Sequence, residues 1–192
     1  LRTRRQRQMC IRDRYGPKQF KSHINVLFLG NLIPIKNALN LIKEMKNIPN
    51  NYKLEICGEG KEKRKLENFV NRYFLDERII FSRPVFNKDL IYKFENNDIL
   101  VIPSFSESFS RLGLESLING LPLVLTQNSP LINFFSEDII KIDPKSPQSI
   151  AKGIILASKI KLDSSRANYI LKKYFSAKEY AKNFVSALEI QN

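Results

Sequence analysis

Two carboxylates frame the chemistry this chain can do. Glu107 and Glu115 stand with seven residues between them in Pro103-Ser104-Phe105-Ser106-Glu107-Ser108-Phe109-Ser110-Arg111-Leu112-Gly113-Leu114-Glu115. An ionised carboxylate accepts two hydrogen bonds side by side, the pattern offered by a pair of sugar hydroxyls. Glu107 falls in a polar loop just ahead of an expected helix start near Ser110, where free N–H groups and the helix dipole favour anions. It reads either as a ligand-binding group or as a cap-region carboxylate that satisfies the helix end alone. Glu115 lies one to two turns into that helix, among Leu112, Leu114, Leu117 and Ile118. A carboxylate in such surroundings needs a partner, and a sugar diol is one candidate.

The elements that must position this pair are legible on either side. Residues 98–102 form a short, β-branched apolar run, expected to be a buried strand, and Pro103 ends it because proline has no N–H for the ladder. Gly120 closes the helix as a left-handed cap, and Pro122 opens the next strand, 121–126. The unit strand, loop, helix, strand sets a helix N-terminus at the carboxyl end of a strand, where open α/β sheets bind ligands. The rest of the chain repeats the alternation. Strands are expected at 24–30, 52–57, 78–81 and 138–142, and helices at about 36–46, 61–74, 87–95, 147–159, 164–173 and 177–190. Right-handed βαβ units and a mainly parallel sheet with helices on both faces follow: an α/β, Rossmann-like fold.

Ser104, Glu107, Phe109, Arg111, Glu115, Gly120 and Pro122 resemble the Pro-Ser-x-x-Glu-x-Phe … Glu-(small)-x-x-x-Gly-x-Pro-Val signature of retaining GT-B glycosyltransferases, the glycosyltransferase family 4 group. Ser108 and Ser110 depart from it where glycine or proline is usual, as does Asn119 where a small residue or cysteine is usual. The turn Gly30-Asn31-Leu32-Ile33-Pro34-Ile35-Lys36-Asn37 is similar to the family's Gly-Arg-Leu-x-x-x-Lys-(Gly/Asn). Gly58-Glu59-Gly60 stands where the family has a Gly-x-Gly against the nucleotide. Alone, that pair of glycines is weak and is not the dinucleotide fingerprint, so NAD is not indicated.

The resemblance implies the C-terminal, donor-binding half of a GT-B enzyme over roughly residues 22–190, without the N-terminal acceptor domain. It implies that Lys36 contacts the donor diphosphate, helped by the backbone N–H groups of Arg111 and Leu112. Glu107 would meet donor-sugar hydroxyls in a pocket lined by Phe109 and Ser110, and Glu115 would hold the ribose. Gly30, Asn31 and Gly58 complete the donor-binding set, with Glu107 and Lys36 as its catalytic members. Asn31 replaces an arginine of the family, leaving one cation fewer for a leaving group that develops negative charge. The expected substrate is a nucleotide-diphosphate sugar, transferred with retention to a glycan or lipid-linked acceptor such as a surface polysaccharide. No cofactor or metal is implied, and no Asp-x-Asp occurs.

Composition narrows the alternatives. With 43% hydrophobic residues the chain can bury a real core. No apolar run is long enough to span a bilayer and no signal-like segment opens the chain, so a soluble, cytoplasmic protein is expected, with the inner face of a membrane as a further station. Cys10 and Cys57 do not make a disulfide framework; Cys57 reads as a small hydrophobe in a buried strand. One histidine, His23, excludes Ser/His/Asp and Cys/His sets and reads as a surface residue. The net charge of +13 invites a nucleic-acid reading, but residues 1–21 hold about half of it, as eight cations against Asp13. Beyond them, lysine mixed with glutamate reads as a solvated face able to touch anionic lipid peripherally. Arg83 also reads as surface.

Residues 1–15 are arginine-rich where the remainder favours lysine, and Arg7-Gln8-Met9-Cys10-Ile11-Arg12-Asp13 reads as a translated adapter, which would put the natural N-terminus further upstream. The competing reading is a basic arm that binds RNA or membrane. The division expected is a basic tail, 1–21, and a nucleotide-sugar-binding domain, 22–192. Two other function classes remain open at this point: a binding module that has lost catalysis, favoured by Asn31, Ser108 and Ser110, and a basic RNA-binding protein, which salt-dependent binding would reveal.

Overall fold

A computed structural model describes residues 22–160 except 86, together with 162, 165, 168, 169, 172 and 173. The expected tail, 1–21, and most of the two helices expected at 164–173 and 177–190 lie outside the described residues. Six strands alternate with helices: β1 (Ile24–Leu29), α1 (Ala38–Glu44), β2 (Tyr52–Cys57), α2 (Lys63–Arg72), β3 (Ile79–Ser82), α3 (Asn87–Asn96), β4 (Ile99–Ile102), α4 (Arg111–Ile118), β5 (Leu123–Thr126), α5 (Ile132–Phe135), β6 (Ile139–Ile142) and α6 (Pro147–Ala157). All pairings are parallel and the strand order is β3-β2-β1-β4-β5-β6. After β3 the chain crosses to the far side of β1, which makes the β1/β4 boundary the switch point of the sheet.

The alternation of side chains along the strands builds two cores. Val26, Phe28, Leu54, Ile56, Ile99, Val101 and Val124 point to one face, under α1, α2 and α6. Leu27, Leu100, Ile102, Leu123 and Leu125 point to the other, where Phe94 of α3, Leu117 of α4 and Phe135 of α5 cover them. Every residue of β4 and β5 is buried, which is why these strands read as unbroken apolar runs.

The elements differ from expectation where single residues impose their own geometry. The helix expected from 36 begins at Ala38, because Asn37 takes a left-handed conformation (φ 58°) after one 3-10 turn, Pro34–Lys36. The helix expected over 61–74 is Lys63–Arg72, and Phe74 just beyond it also has a left-handed φ of 54°. Gly120 adopts φ 72° after α4, as its role of cap requires.

Ser110 caps α4: its Oγ accepts from the Gly113 N–H at 3.2 Å, and its carbonyl accepts from Leu114 N at 2.9 Å. Ser110→Ala is expected to cost about 1 kcal/mol of stability, since it strips an N-cap acceptor from a buried amide. Urea denaturation measures this, and an unchanged midpoint would deny the cap its role.

Candidate active site

The loops that leave the carboxyl ends of β1, β2 and β4 meet at the switch point. Three backbone hydrogen bonds join them: Gly30 N donates to Cys57 O (3.1 Å), Leu32 N to Glu59 O (2.8 Å) and Phe105 N to Ile35 O (2.8 Å). A Cβ on Gly58 would stand 2.0 Å from the Gly30 carbonyl oxygen, and Gly60 holds φ +155° against the backbone of Leu32. The two glycines therefore let the β1 and β2 loops touch. Asn37, 4% exposed, ties the remaining loops, donating from Nδ2 to Pro103 O (3.0 Å) and Pro144 O (2.9 Å).

Between these loops and the start of α4 lies a cavity of about 350 Å³, lined by Gly30, Asn31, Gly58, Arg111, Leu112 and Glu115 of the expected set. Leu29, Cys57, Glu59, Pro84, Val85 and Leu90 complete the wall. Burial pushes the Cys57 thiol up to about 11, and Ser82 Oγ donates to its sulfur at 2.7 Å. It is a neutral, apolar wall group rather than a nucleophile.

Glu115 is not stranded among leucines. Its side chain is 29% exposed, and Arg111 Nε donates to its Oε1 at 2.9 Å, so the partner that sequence reasoning sought in a ligand exists within the helix. The signal was present: Arg and Glu four apart share one helical face.

Glu107 is not the cap, because Ser110 fills that role. Its Oε2 instead accepts from Lys36 Nζ at 2.8 Å, with side chains 12% and 30% exposed. Lys36 and Glu107, from the β1 and β4 loops, thus meet each other but are not among the cavity's lining residues. Phe109 and Ser110 do not line it either. Phe109 packs edge-on to Phe134, ring centres 6.1 Å apart, and the Ser110 hydroxyl is committed to the helix end. Arg83 and His23 are exposed, as expected.

Reading the sequence missed Asn37 as the clamp between loops and Pro84, Val85 and Leu90 as cavity wall. Asparagine's tolerance of left-handed backbone was the one available hint for the first. Nothing local marks the others, which reach the cavity only through the packing of α3 and the β3 loop.

The first two amides of α4, Arg111 and Leu112, have no acceptor among the described residues, as the start of a helix requires. Chemically the site combines these amides, a pair of glycines that admits close backbone approach, an apolar wall and a half-exposed carboxylate. That set suits an anionic group carried on a ring with vicinal hydroxyls.

Residues 13–183 match the family described as glycosyl transferases group 1. An uncharacterized glycosyltransferase of Methanocaldococcus jannaschii is 31% identical over 133 residues, covering 67% of this chain and 34% of that protein. The chain thus spans about a third of that relative's length. Among solved structures, the lipopolysaccharide outer core galactosyltransferase WaaB in its apo form superposes with a TM-score of 0.76 at 17% identity, over 92% of this chain and 51% of that one. HepE of Anabaena in complex with UDP superposes at 0.73 with 18% identity, over 96% and 51%. These likenesses show the fold: the Rossmann-like α/β sheet of GT-B glycosyltransferase structures. Among the described residues no helix is long and apolar enough to cross a membrane.

Proposed function

The chain belongs to the glycosyl transferases group 1 family, and on that premise we propose that it binds the nucleotide-diphosphate sugar for a retaining GT-B transferase of the family 4 group. The observation that carries this reading is the switch-point cavity, with bare glycines on one side and the start of α4, bearing Glu115, on the other. The base lies against Pro84, Val85 and Leu90. Glu115 accepts from the two ribose hydroxyls, and the amides of Arg111 and Leu112 meet the phosphates. Lys36 steadies the diphosphate and Glu107 orients the sugar hydroxyls. The contact between these two residues supports their acting as one unit.

In the reaction proposed, the bond from the sugar C1 to the diphosphate oxygen breaks, and a bond to the acceptor oxygen forms on the same face. The departing phosphate oxygen takes the acceptor's proton. The acceptor is a glycan or lipid-linked hydroxyl; the structural similarity to a lipopolysaccharide galactosyltransferase supports that class. No metal or cofactor enters the scheme. Residues 22–192 form the donor domain and 1–21 lie outside it. A cytoplasmic location, with peripheral contact to anionic lipid through the surplus positive charge, belongs to the same proposal.

Titration with UDP, GDP and ADP tests the reading: one of them is expected to bind saturably, and binding by none refutes it. Lys36→Ala is expected to weaken the nucleoside diphosphate about tenfold, the worth of one charge-assisted hydrogen bond. Glu107→Gln is expected to weaken the nucleotide sugar more than it changes the bare diphosphate, which senses Glu107 only through Lys36. Turnover of a nucleotide sugar by the full-length protein separates an enzyme from a module that only binds.

A further inference from the structure

Resting on the donor-site reading, we propose that the side chain of Arg111 is a second cation that this site offers to the phosphates, beside Lys36, and that Glu115 holds it in place. Among the described residues three charged side chains line the cavity, Glu59, Glu115 and Arg111, and of these Arg111 is the positive one. Glu59 is already neutralised by Lys63, whose Nζ lies 2.6 Å from its Oε1. Lys36 pairs with Glu107 beyond the lining, so its charge reaches the phosphates shared with a carboxylate. Asn31, also in the lining, carries no charge.

The geometry of the guanidinium fits the task. It is tethered through Nε alone, to Glu115 Oε1 at 2.9 Å. The terminal Nη1 and Nη2 groups have no partner among the described residues, and the side chain is 73% exposed. Two parallel N–H groups are what a phosphate accepts in bidentate fashion. They lie on the residue whose own amide opens α4, so side chain and backbone converge on one anion.

Helix stability does not account for an arginine at this position. It is the first residue of α4, where the dipole is positive and a cation is unfavourable. The ion pair with Glu115 also runs in the poorer direction, cation before anion along the helix. A local rule broken at the wall of a cavity is accounted for by a bound anion, which relieves both conflicts. Glu115 then has two duties: Oε1 positions Arg111, and Oε2 remains for the ribose.

The test is a comparison of wild-type chain, Arg111→Met and Arg111→Lys in titrations with UDP (GDP and ADP alongside) and with uridine by ligand-observed NMR, each at low and high salt. Arg111→Met is expected to weaken UDP about tenfold or more, to flatten its salt dependence, and to leave uridine within about twofold. Lysine recovers part of the UDP affinity, keeping the charge without the fork. Melting temperature stays level or rises, because a cation has left the positive end of a helix. Unchanged affinity for the diphosphate that the wild-type chain binds overturns the assignment, and so does an equal loss for that diphosphate and its nucleoside, which would mark Arg111 as only shaping the helix. A wild-type chain that binds none of the diphosphates overturns the donor-site reading, and this assignment with it.

Discussion

Replacing Glu115 with alanine is expected to lower the affinity of the chain for UDP about a hundredfold and to lower that for uridine nearly as much. The expectation follows from counting what the carboxylate would do in the proposed donor site. Two hydroxyl donors on one ionised acceptor are charge-assisted hydrogen bonds, and losing both is worth about 3 kcal/mol, or about two decades of affinity. UDP suffers a further loss because Arg111 no longer has Oε1 to hold it beside the phosphates. The side chain is only partly exposed, so bulk water replaces it imperfectly. Titrations of UDP, GDP and uridine against both forms decide the matter. Equal affinities for wild type and variant would remove Glu115 from the ribose. Set beside Arg111→Met, the two variants give different fingerprints: one acts on nucleoside and diphosphate alike, the other on the diphosphate alone.

Gly58→Ala is expected to cost about 3 kcal/mol of stability or more and to abolish nucleotide binding. The new methyl carbon would stand 2.0 Å from the carbonyl oxygen of Gly30. Overpacking against a flexible side chain is absorbed by a rotamer change, but here the Cβ is fixed by its own backbone and the atom it meets is a backbone carbonyl oxygen. Neither loop is free to withdraw. The β1 and β2 loops are stitched by Gly30 N to Cys57 O, Leu32 N to Glu59 O and Glu62 N to Leu32 O. Relief requires breaking some of these bonds and parting the wall of the cavity, so stability and affinity fall together. A urea melt with a UDP titration on the surviving folded fraction reads both. A variant that melted and bound like wild type would show that the loops separate at no cost, and would withdraw the account of Gly58 as the point where they touch.

The order of elements was legible along the chain because most strands carry a short apolar run with proline, glycine or polar residues at its ends, while β2 alternates apolar with charged residues. Strand β2 lies at 52–57, as its pattern predicts, and β4, β5 and β6 differ from expectation by one or two residues at their starts. The alternation of strands with helices implied a parallel sheet covered on both faces, and the fully buried four-residue runs of β4 and β5 agree with it. Lys36, Glu107 and the Gly58/Gly60 pair fall in the loops after expected strands, and Glu115 falls in the helix that follows one of them, so the sequence pointed to the carboxyl ends of the strands.

What tertiary structure decided was which of these groups face one another. Lys36 meets Glu107 across 71 positions of sequence, and Asn37 pins their loops through carbonyls of Pro103 and Pro144. No local pattern encodes such distances; they follow from the chain crossing from β3 to β4 at the switch point. The cavity's apolar wall, Pro84, Val85 and Leu90, arises in the same way, from where α3 and the β3 loop come to rest. Even Arg111, readable at i,i+4 from Glu115, is placed on the cavity wall only in three dimensions, as the one cation there among the described residues. Hydrophobic patterning is a property of neighbours along the chain and so determines elements and layers. A binding site is a property of side chains brought together by the crossovers between those layers, and its pairings are settled by packing.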